Sequence, residues 1–287
     1  MKTLVTLSIV SFIVLSANAQ ETHFNNFYSA SSYTNPAFAA FADYGTFSLL
    51  NQFQTGFYGE YSLAQVTIPG NKLSYFGSYL NQRNKTLGSP STNAIEVGLA
   101  KKLETEKWKF SFGLSLNGAI QYVDFEDCYL PMDPYFENGL MTDFGTAIQY
   151  RNFQLGFAAR NVSIIDVSYY DRFYLISIFH QIELRKQSSI YYSIVQERSS
   201  QRYNSSFNHI SIGLRIKKLD LGYGIKFYNL GNVPKLLCAY SYKNLRIAYG
   251  FMNFINPQND YYNHQQHELS LQFAFNTKGK EVSFLPF

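Results

Sequence analysis

The amino-acid sequence predicts an all-β fold, namely a transmembrane, up-and-down antiparallel β-barrel of about 14 strands. Bulky apolar side chains occupy almost every second position of residues 108–122, and small or polar side chains lie between them. A two-residue period places the two sets on opposite faces of a β-strand. The segment exceeds the typical soluble strand of about 5–6 residues but suits a tilted strand that crosses a membrane. The same alternation recurs along the 287-residue chain.

The composition narrows the class of protein further. No stretch of about 18 consecutive apolar residues follows Gln20, which excludes a transmembrane helix. The 24 Tyr and 26 Phe residues suit a lipid-facing surface with aromatic girdles at the membrane interfaces. The formal net charge of +4 is scattered along the chain, so nucleic acid is not an expected partner. A soluble β-sandwich is the alternative, but it would usually have shorter strands.

Residues 1–19 are expected to be a cleaved signal peptide. Lys2 provides the basic region, residues 4–15 form a short apolar run, and Ala17-Asn18-Ala19 has the small-x-small form that signal peptidase accepts. An uncleaved anchor is disfavoured because the apolar run is shorter than the roughly 20 residues of a spanning helix. The mature chain is therefore expected to begin at Gln20 and to reach the bacterial outer membrane, with lipid around it.

Residues 20–43 form an N-terminal segment that is too aromatic for a solvated tail. Pro36 fixes its own φ, and Asn35 before it is biased towards extended or turn geometry. We expect the segment to fold against the inner wall of the barrel or its periplasmic rim and to narrow the lumen. A disordered leader is the alternative. The aromatic residues are Phe24, Phe27, Tyr28, Tyr33 and Phe38.

Residues 44–276 are interpreted as a single barrel domain, since a closed barrel has no internal boundary. Three strands near residues 45–54, 59–68 and 72–81 alternate less cleanly than the rest. The remaining strands are predicted at residues 95–100, 108–122, 144–150, 153–160, 174–184, 190–194, 210–216, 221–227, 236–242, 245–251 and 269–275.

The links between these strands fall into two classes that alternate along the chain. Short links, such as residues 217–218 and 243–244, are expected to be periplasmic turns. Residues 151–152 are expected to form a tight turn. Longer links near residues 125–139, 162–170, 198–205 and 254–264 are expected to be extracellular loops. Residues 277–287 form a C-terminal tail, in which Pro286 disfavours continuation of the last strand.

Six charged side chains are predicted to face the lumen because they alternate with the apolar faces. A charge facing lipid at mid-bilayer costs about 2–4 kcal/mol, so the opposite face must be the interior. The interior charges form either a network of salt bridges across the lumen, which stiffens and plugs the barrel, or the lining of a selective pore. The residues are Glu96, Arg160, Arg215, Lys226, Arg246 and Glu268.

Catalytic and metal-binding patterns are not evident in the sequence. His264 and His267 lack a third ligand at a recognised spacing, and His180 lies within a strand without the serine and acidic partners of a lipase. We therefore predict neither an enzyme nor a bound metal or cofactor. Cys128 is placed in an outer loop and Cys238 on an apolar strand face, so two unpaired thiols are favoured over a disulfide.

Residues 22–40 read THFNNFYSASSYTNPAFAA and resemble the mature N-terminus of the PorP/SprF family of type IX secretion outer-membrane proteins. The residues that carry this resemblance are His23, Phe24, Tyr28, Asn35, Pro36, Ala37 and Phe38. Ala40 stands where the family usually has glycine. The resemblance extends to residues 156–162 and to residues 267–271 of the last strand.

The resemblance implies a non-enzymatic component of the type IX secretion apparatus. Such proteins act by binding, either to other secretion components or to the C-terminal domain of a secreted surface protein such as an adhesin of gliding bacteria. An outer-membrane channel for small solutes is the alternative. Aromatic side chains predicted in two outer loops are candidates for docking the partner, although they also suit an interfacial girdle. They are Tyr129, Tyr135, Phe136, Phe254, Tyr261 and Tyr262.

Overall fold

The fold is taken from a computed structural model of the chain. The structure describes residues 31–55, 59–84, 91–123, 135–163, 172–185, 188–199, 206–228, 231–254 and 264–275, together with Val282 and Phe284. The expected signal peptide lies outside the described residues. Within them, no helix is long and apolar enough to cross a membrane.

Fourteen antiparallel strands form a closed barrel, and each strand pairs with its neighbours in the chain. The first and last strands close the ring in a register that runs from Gly45 opposite Phe275 to Thr55 opposite Gln265. The predicted fold class is therefore confirmed. The strands are β1 Gly45–Thr55, β2 Gly59–Ile68, β3 Leu73–Asn84, β4 Ser91–Glu104, β5 Trp108–Val123, β6 Tyr135–Tyr150, β7 Phe153–Ser163, β8 Phe173–Arg185, β9 Ser188–Ser199, β10 Ser206–Ile216, β11 Leu219–Tyr228, β12 Gly231–Tyr242, β13 Leu245–Phe254 and β14 His264–Phe275.

The two faces of the barrel have opposite chemistry. Along β5, Phe112, Leu114 and Leu116 are exposed on the outside, whereas Ser111 and Ser115 between them are buried inside. Outward apolar side chains face the lipid of a membrane, and the small or polar inward set leaves room for further chain in the lumen. The two-residue period in the sequence therefore reflects the alternation between the lipid and the lumen along each strand.

The short turns lie at one end of the barrel and begin with residues in the left-handed backbone region. Arg151, Lys217 and Lys243 have φ values of 51°, 54° and 50° and open the two-residue links that join β6 to β7, β10 to β11 and β12 to β13. Two-residue hairpin links need positive φ because only then does the turn match the strand twist. By the usual arrangement of outer-membrane barrels, this end faces the periplasm.

The largest departure from the predicted strand boundaries concerns β6. It begins at Tyr135, so residues 135–139, expected to belong to an extracellular loop, are part of the sheet instead. Tyr135 and Phe136 pair with Val123 and Tyr122 of β5. Each of β5 and β6 has 16 residues, compared with 10 in β13. Met141 pairs with Ser163, the last residue of β7, so residues 135–140 of β6 continue beyond that strand. Six residues extend a strand by about 20 Å, so this part of the β5–β6 hairpin projects beyond β7 at the end opposite the short turns. On the other side of the hairpin, Ser91 of β4 still pairs with Tyr122 of β5.

Candidate functional site in the barrel interior and at its rim

Residues 31–41, which we call the inner segment, lie inside the barrel. They form a short α-helix, Ser31–Thr34, and a 3₁₀ helix, Pro36–Phe41, which packs on the inner wall formed by β3 to β7. The buried Asn35 joins the two helices, and its side-chain Oδ1 accepts a hydrogen bond of 3.0 Å from the backbone N–H of Ala37. Pro36 occupies the first helical position, where its missing N–H costs nothing. This local chemistry explains the Asn-Pro-Ala sequence.

Glycines on three neighbouring strands make room for the inner segment. A Cβ atom at Gly113 would lie 2.3 Å from the carbonyl carbon of Pro36, and one at Gly145 would lie 2.1 Å from Asn35 Oδ1. A Cβ at Gly156 of β7 would lie 2.6 Å from the ring of Phe38. Ser111 of β5 donates a hydrogen bond of 2.8 Å to the carbonyl of Ala37. We call Gly113, Gly145 and Gly156 the glycine cradle.

A second contact with the wall is made by the Arg160 cluster, which comprises Tyr33, Glu96, Asp143 and Arg160. The Arg160 guanidinium lies over the Tyr33 ring at 4.4 Å, and its Nε is 3.5 Å from Asp143 Oδ2. Asp143 also accepts a hydrogen bond of 2.7 Å from the backbone N–H of Asn161. Glu96, likewise buried, accepts one of 2.9 Å from Ser78. The cluster therefore ties the inner segment to β6 and β7.

On the opposite wall, near the short turns, lies the Asp220 cluster of Arg215, Asp220 and Arg246. Asp220 accepts hydrogen bonds of 2.6 and 2.9 Å from Nε and Nη2 of Arg215. It accepts a third, of 3.0 Å, from Nη2 of Arg246. Arg246 is on β13 and reaches across β12, so these ion pairs run along the wall between nearby strands. The interpretation of a network across the lumen is wrong for this cluster.

A third group, the lysine cluster, lies deeper in the barrel and comprises Glu197, His209, Lys226, Lys235 and Glu268. All five side chains are at least nine-tenths buried. Glu197 and Glu268 are the carboxylates within electrostatic reach of Lys226. Two lysines and two glutamates therefore balance in formal charge. Opposite charges close together lower the cost of burying each of them.

The predicted lumen charges all lie on the inner face of the sheet. Glu96, Arg160, Lys226, Arg246 and Glu268 are buried, and Arg215 is half-buried. Sequence reasoning missed their neighbours Asp143, Glu197, His209, Asp220 and Lys235. Among the described residues, no three His, Cys, Asp or Glu side chains form a group that could hold a metal ion.

Comparison with known families identifies the chain. A family model described as type IX secretion system membrane protein PorP/SprF matches residues 16–273. The chain belongs to the PorP/SprF family. Comparison with curated proteins gives no match. Family and fold together place this PorP/SprF protein in the outer membrane, as a barrel of a type IX secretion family.

Several solved outer-membrane barrels share the fold of this PorP/SprF protein. The Ralstonia pickettii toluene transporter TbuX has a TM-score of 0.59 and 9% identity over 86% of this chain and 94% of its own. The CymD monoaromatic hydrocarbon channel has a TM-score of 0.56 and 10% identity, over 91% of this chain and 94% of its own. The Pseudomonas putida toluene transporter TodX has a TM-score of 0.54 and 10% identity, over 91% of this chain and 100% of its own. Identities this low carry information on fold alone.

The motif residues of this PorP/SprF protein divide between described and undescribed parts. Asn35, Pro36, Ala37 and Phe38 pack against the inner wall. His23, Phe24 and Tyr28 lie outside the described residues, as do Tyr129, Tyr261 and Tyr262 of the candidate docking loops. Phe254 ends β13 and Tyr135 begins β6. These two strands are seven positions apart in the ring of 14, so the two candidate docks leave the barrel on opposite sides of the rim.

Two histidines lie on the outer face of the sheet in aromatic surroundings. His267 Nδ1 is 2.6 Å from the Tyr249 hydroxyl and its ring stacks on Phe53 at 5.1 Å. His180 Nδ1 is 3.2 Å from the Tyr192 hydroxyl. Rings with a polar edge suit the membrane interface. Cys238 is a free, exposed thiol, and Cys128 lies outside the described residues, so the absence of a disulfide stays a prediction.

Proposed function

We propose that this PorP/SprF protein is a non-enzymatic adaptor that supports secretion or surface attachment of a cognate secreted protein by binding its C-terminal domain and other type IX secretion components. The observation that carries the proposal is the family match over residues 16–273. Two structural features support it. The lumen holds the inner segment and three charged clusters, and β6 extends beyond the end of β7, with Tyr135 and Phe136 in its first two positions.

Co-purification tests the adaptor proposal. The protein is extracted from native membranes in mild detergent, and partners are identified by mass spectrometry. We expect enrichment of type IX secretion components and of a large secreted protein. Phe136→Ala, in the projecting part of β6, should reduce recovery of the secreted protein about tenfold, the loss of one buried aromatic anchor.

The matched control for this experiment is Phe144→Ala. It makes the same chemical change on the same strand, but Phe144 faces lipid and is 48% exposed. Recovery should be unchanged in this variant. Purification of the wild-type barrel without any secretion component or large secreted protein would contradict the adaptor proposal.

The alternative is a channel for small solutes. Neighbours of the same fold are described as toluene transporters and as a hydrocarbon channel, but likeness at 9–10% identity does not transfer that role. The inner segment occupies the wall of β3 to β7 from inside. We therefore expect the wild-type protein to give no stable conductance steps in planar lipid bilayers. Regular steps that fall on addition of a small solute would favour the channel instead.

A further inference from the structure

One residue beyond the last strand, Phe284, is bound to the barrel. Phe284 lies beyond β14 and is only 4% exposed. Its ring meets the ring of Tyr44 edge-to-face, with 6.2 Å between the centroids. Its carbonyl oxygen accepts a hydrogen bond of 2.7 Å from Nη2 of Arg215. Both an aromatic side chain and a backbone carbonyl of the C-terminal tail are therefore held by the barrel.

Arg215, which binds the Phe284 carbonyl, is held in place independently of it. Arg215 makes two hydrogen bonds to Asp220, which is itself fixed by Arg246. Nη2 of Arg215 carries two hydrogens, and it donates to Asp220 Oδ2 at 2.9 Å and to Phe284 at 2.7 Å. A guanidinium fixed on one side by a carboxylate offers a preorganised donor on the other. Tyr44 supplies the aromatic surface, and burial raises the pKa of its hydroxyl, which keeps the ring neutral.

This contact lies on a different part of the inner wall from the main contacts of the inner segment. The inner segment packs on β3 to β7. Phe284 contacts β10 and the residue just before β1, on the other side of the barrel. Arg215 is two residues from the turn at 217–218, so the contact is near the periplasmic mouth. The inner segment and Phe284 therefore contact different parts of the same interior wall.

We propose that Tyr44 and Arg215 form a binding site for a phenylalanine-containing peptide at the periplasmic mouth, and that the chain's own Phe284 is its tethered ligand. The Phe284 ring fills the space beside Tyr44, and its carbonyl is read by Arg215. Phe284 leaves this site without disturbing the sheet, because neither contact belongs to the strand ladder. The same site then accepts the same peptide from solution.

A peptide-binding experiment tests this inference. The barrel is truncated after Asn276, purified in detergent and titrated into a fluorescent peptide of residues 277–287, with anisotropy as the readout. We expect saturable binding. The full-length barrel should bind the peptide at least tenfold more weakly, because a short tether holds its own tail at an effective concentration of about millimolar. A peptide with Phe284→Ala should also bind about tenfold more weakly or worse.

Variants of the wall distinguish this site from non-specific adsorption. Tyr44→Ala removes the ring outside the strands, and Arg215→Lys keeps the charge but not the planar pair of donors. Each should weaken binding to the truncated barrel about tenfold. Lys102→Gln, which removes a charge on β4, should leave peptide binding unchanged. The inference is overturned if the folded truncated barrel fails to bind, if a scrambled peptide binds equally, or if both wall variants bind like wild type.

Discussion

Replacing Gly113 by leucine should displace the inner segment from the barrel wall and open the lumen. The space that a Cβ would need is filled by backbone, 2.3 Å away at Pro36 and 2.4 Å away at Ala37. Backbone cannot rotate aside as a flexible side chain can, so the segment as a whole must move. Overpacking of this kind costs about 1–3 kcal/mol or more. We expect conductance steps in planar bilayers where the wild type gives none, together with a lower unfolding temperature in detergent.

The same strand provides the control for this substitution. A Cβ at Gly118 would meet nothing within 4 Å, and this residue is exposed on the outer face of β5. The Gly118→Leu variant should therefore have the unfolding temperature of the wild type and, like the wild type, should give no conductance steps. If Gly113→Leu retains a closed lumen and wild-type heat resistance, the cradle does not hold the inner segment in the membrane.

The sequence predicted the barrel because its period reports an environment that changes at every residue. An outward side chain meets lipid and an inward one meets the lumen, so alternation locates a strand without knowledge of its partners. The turns were equally accessible. Residues 151–152, 217–218 and 243–244 lie between two clear alternations, and the structure confirms all three as two-residue links.

The same apolar alternation explains why the charged neighbours of the predicted lumen residues were missed. The predicted strands began at their first lipid-facing apolar residues, Phe144, Leu221 and Leu236. Asp143, Asp220 and Lys235 each precede one of these residues by a single position and face the lumen. An apolar alternation cannot mark a strand that starts with an inward polar residue. One additional residue at each strand start would have revealed the acids that pair with Arg160 and Arg215.

The glycine cradle required information that the sequence alone does not contain. Gly113 and Gly145 are 32 positions apart in the sequence, yet they are direct partners in the β5–β6 register. Gly156 joins them only through the pairing of β6 with β7, where it lies opposite Ala147. In the sequence, each glycine is one small residue among several on the inner face. The pairing of β5, β6 and β7 brings the three glycines together as the surface that contacts the Asn-Pro-Ala-Phe motif.

Asp220→Ala should be the most destabilising single substitution in the barrel interior. The Asp220 carboxylate is fully buried and is hydrogen-bonded to two arginines, of which Arg246 is also fully buried. Removal of one partner from a buried ion pair leaves uncompensated charge and costs about 3–5 kcal/mol. Here one substitution removes the carboxylate that two guanidinium groups share. Chemical unfolding in detergent, followed by circular dichroism, measures the loss.

Two further variants separate this cost from a general effect of losing a carboxylate. Glu104 pairs with Lys102 at 3.2 Å, but its side chain is 47% exposed, so Glu104→Ala should cost only about 0–1 kcal/mol. Exchange of all three members of the Asp220 cluster for apolar residues of similar volume should recover most of the stability, because no charge is then left buried. If that variant is as unstable as Asp220→Ala, the loss comes from packing, and uncompensated charge is not its cause.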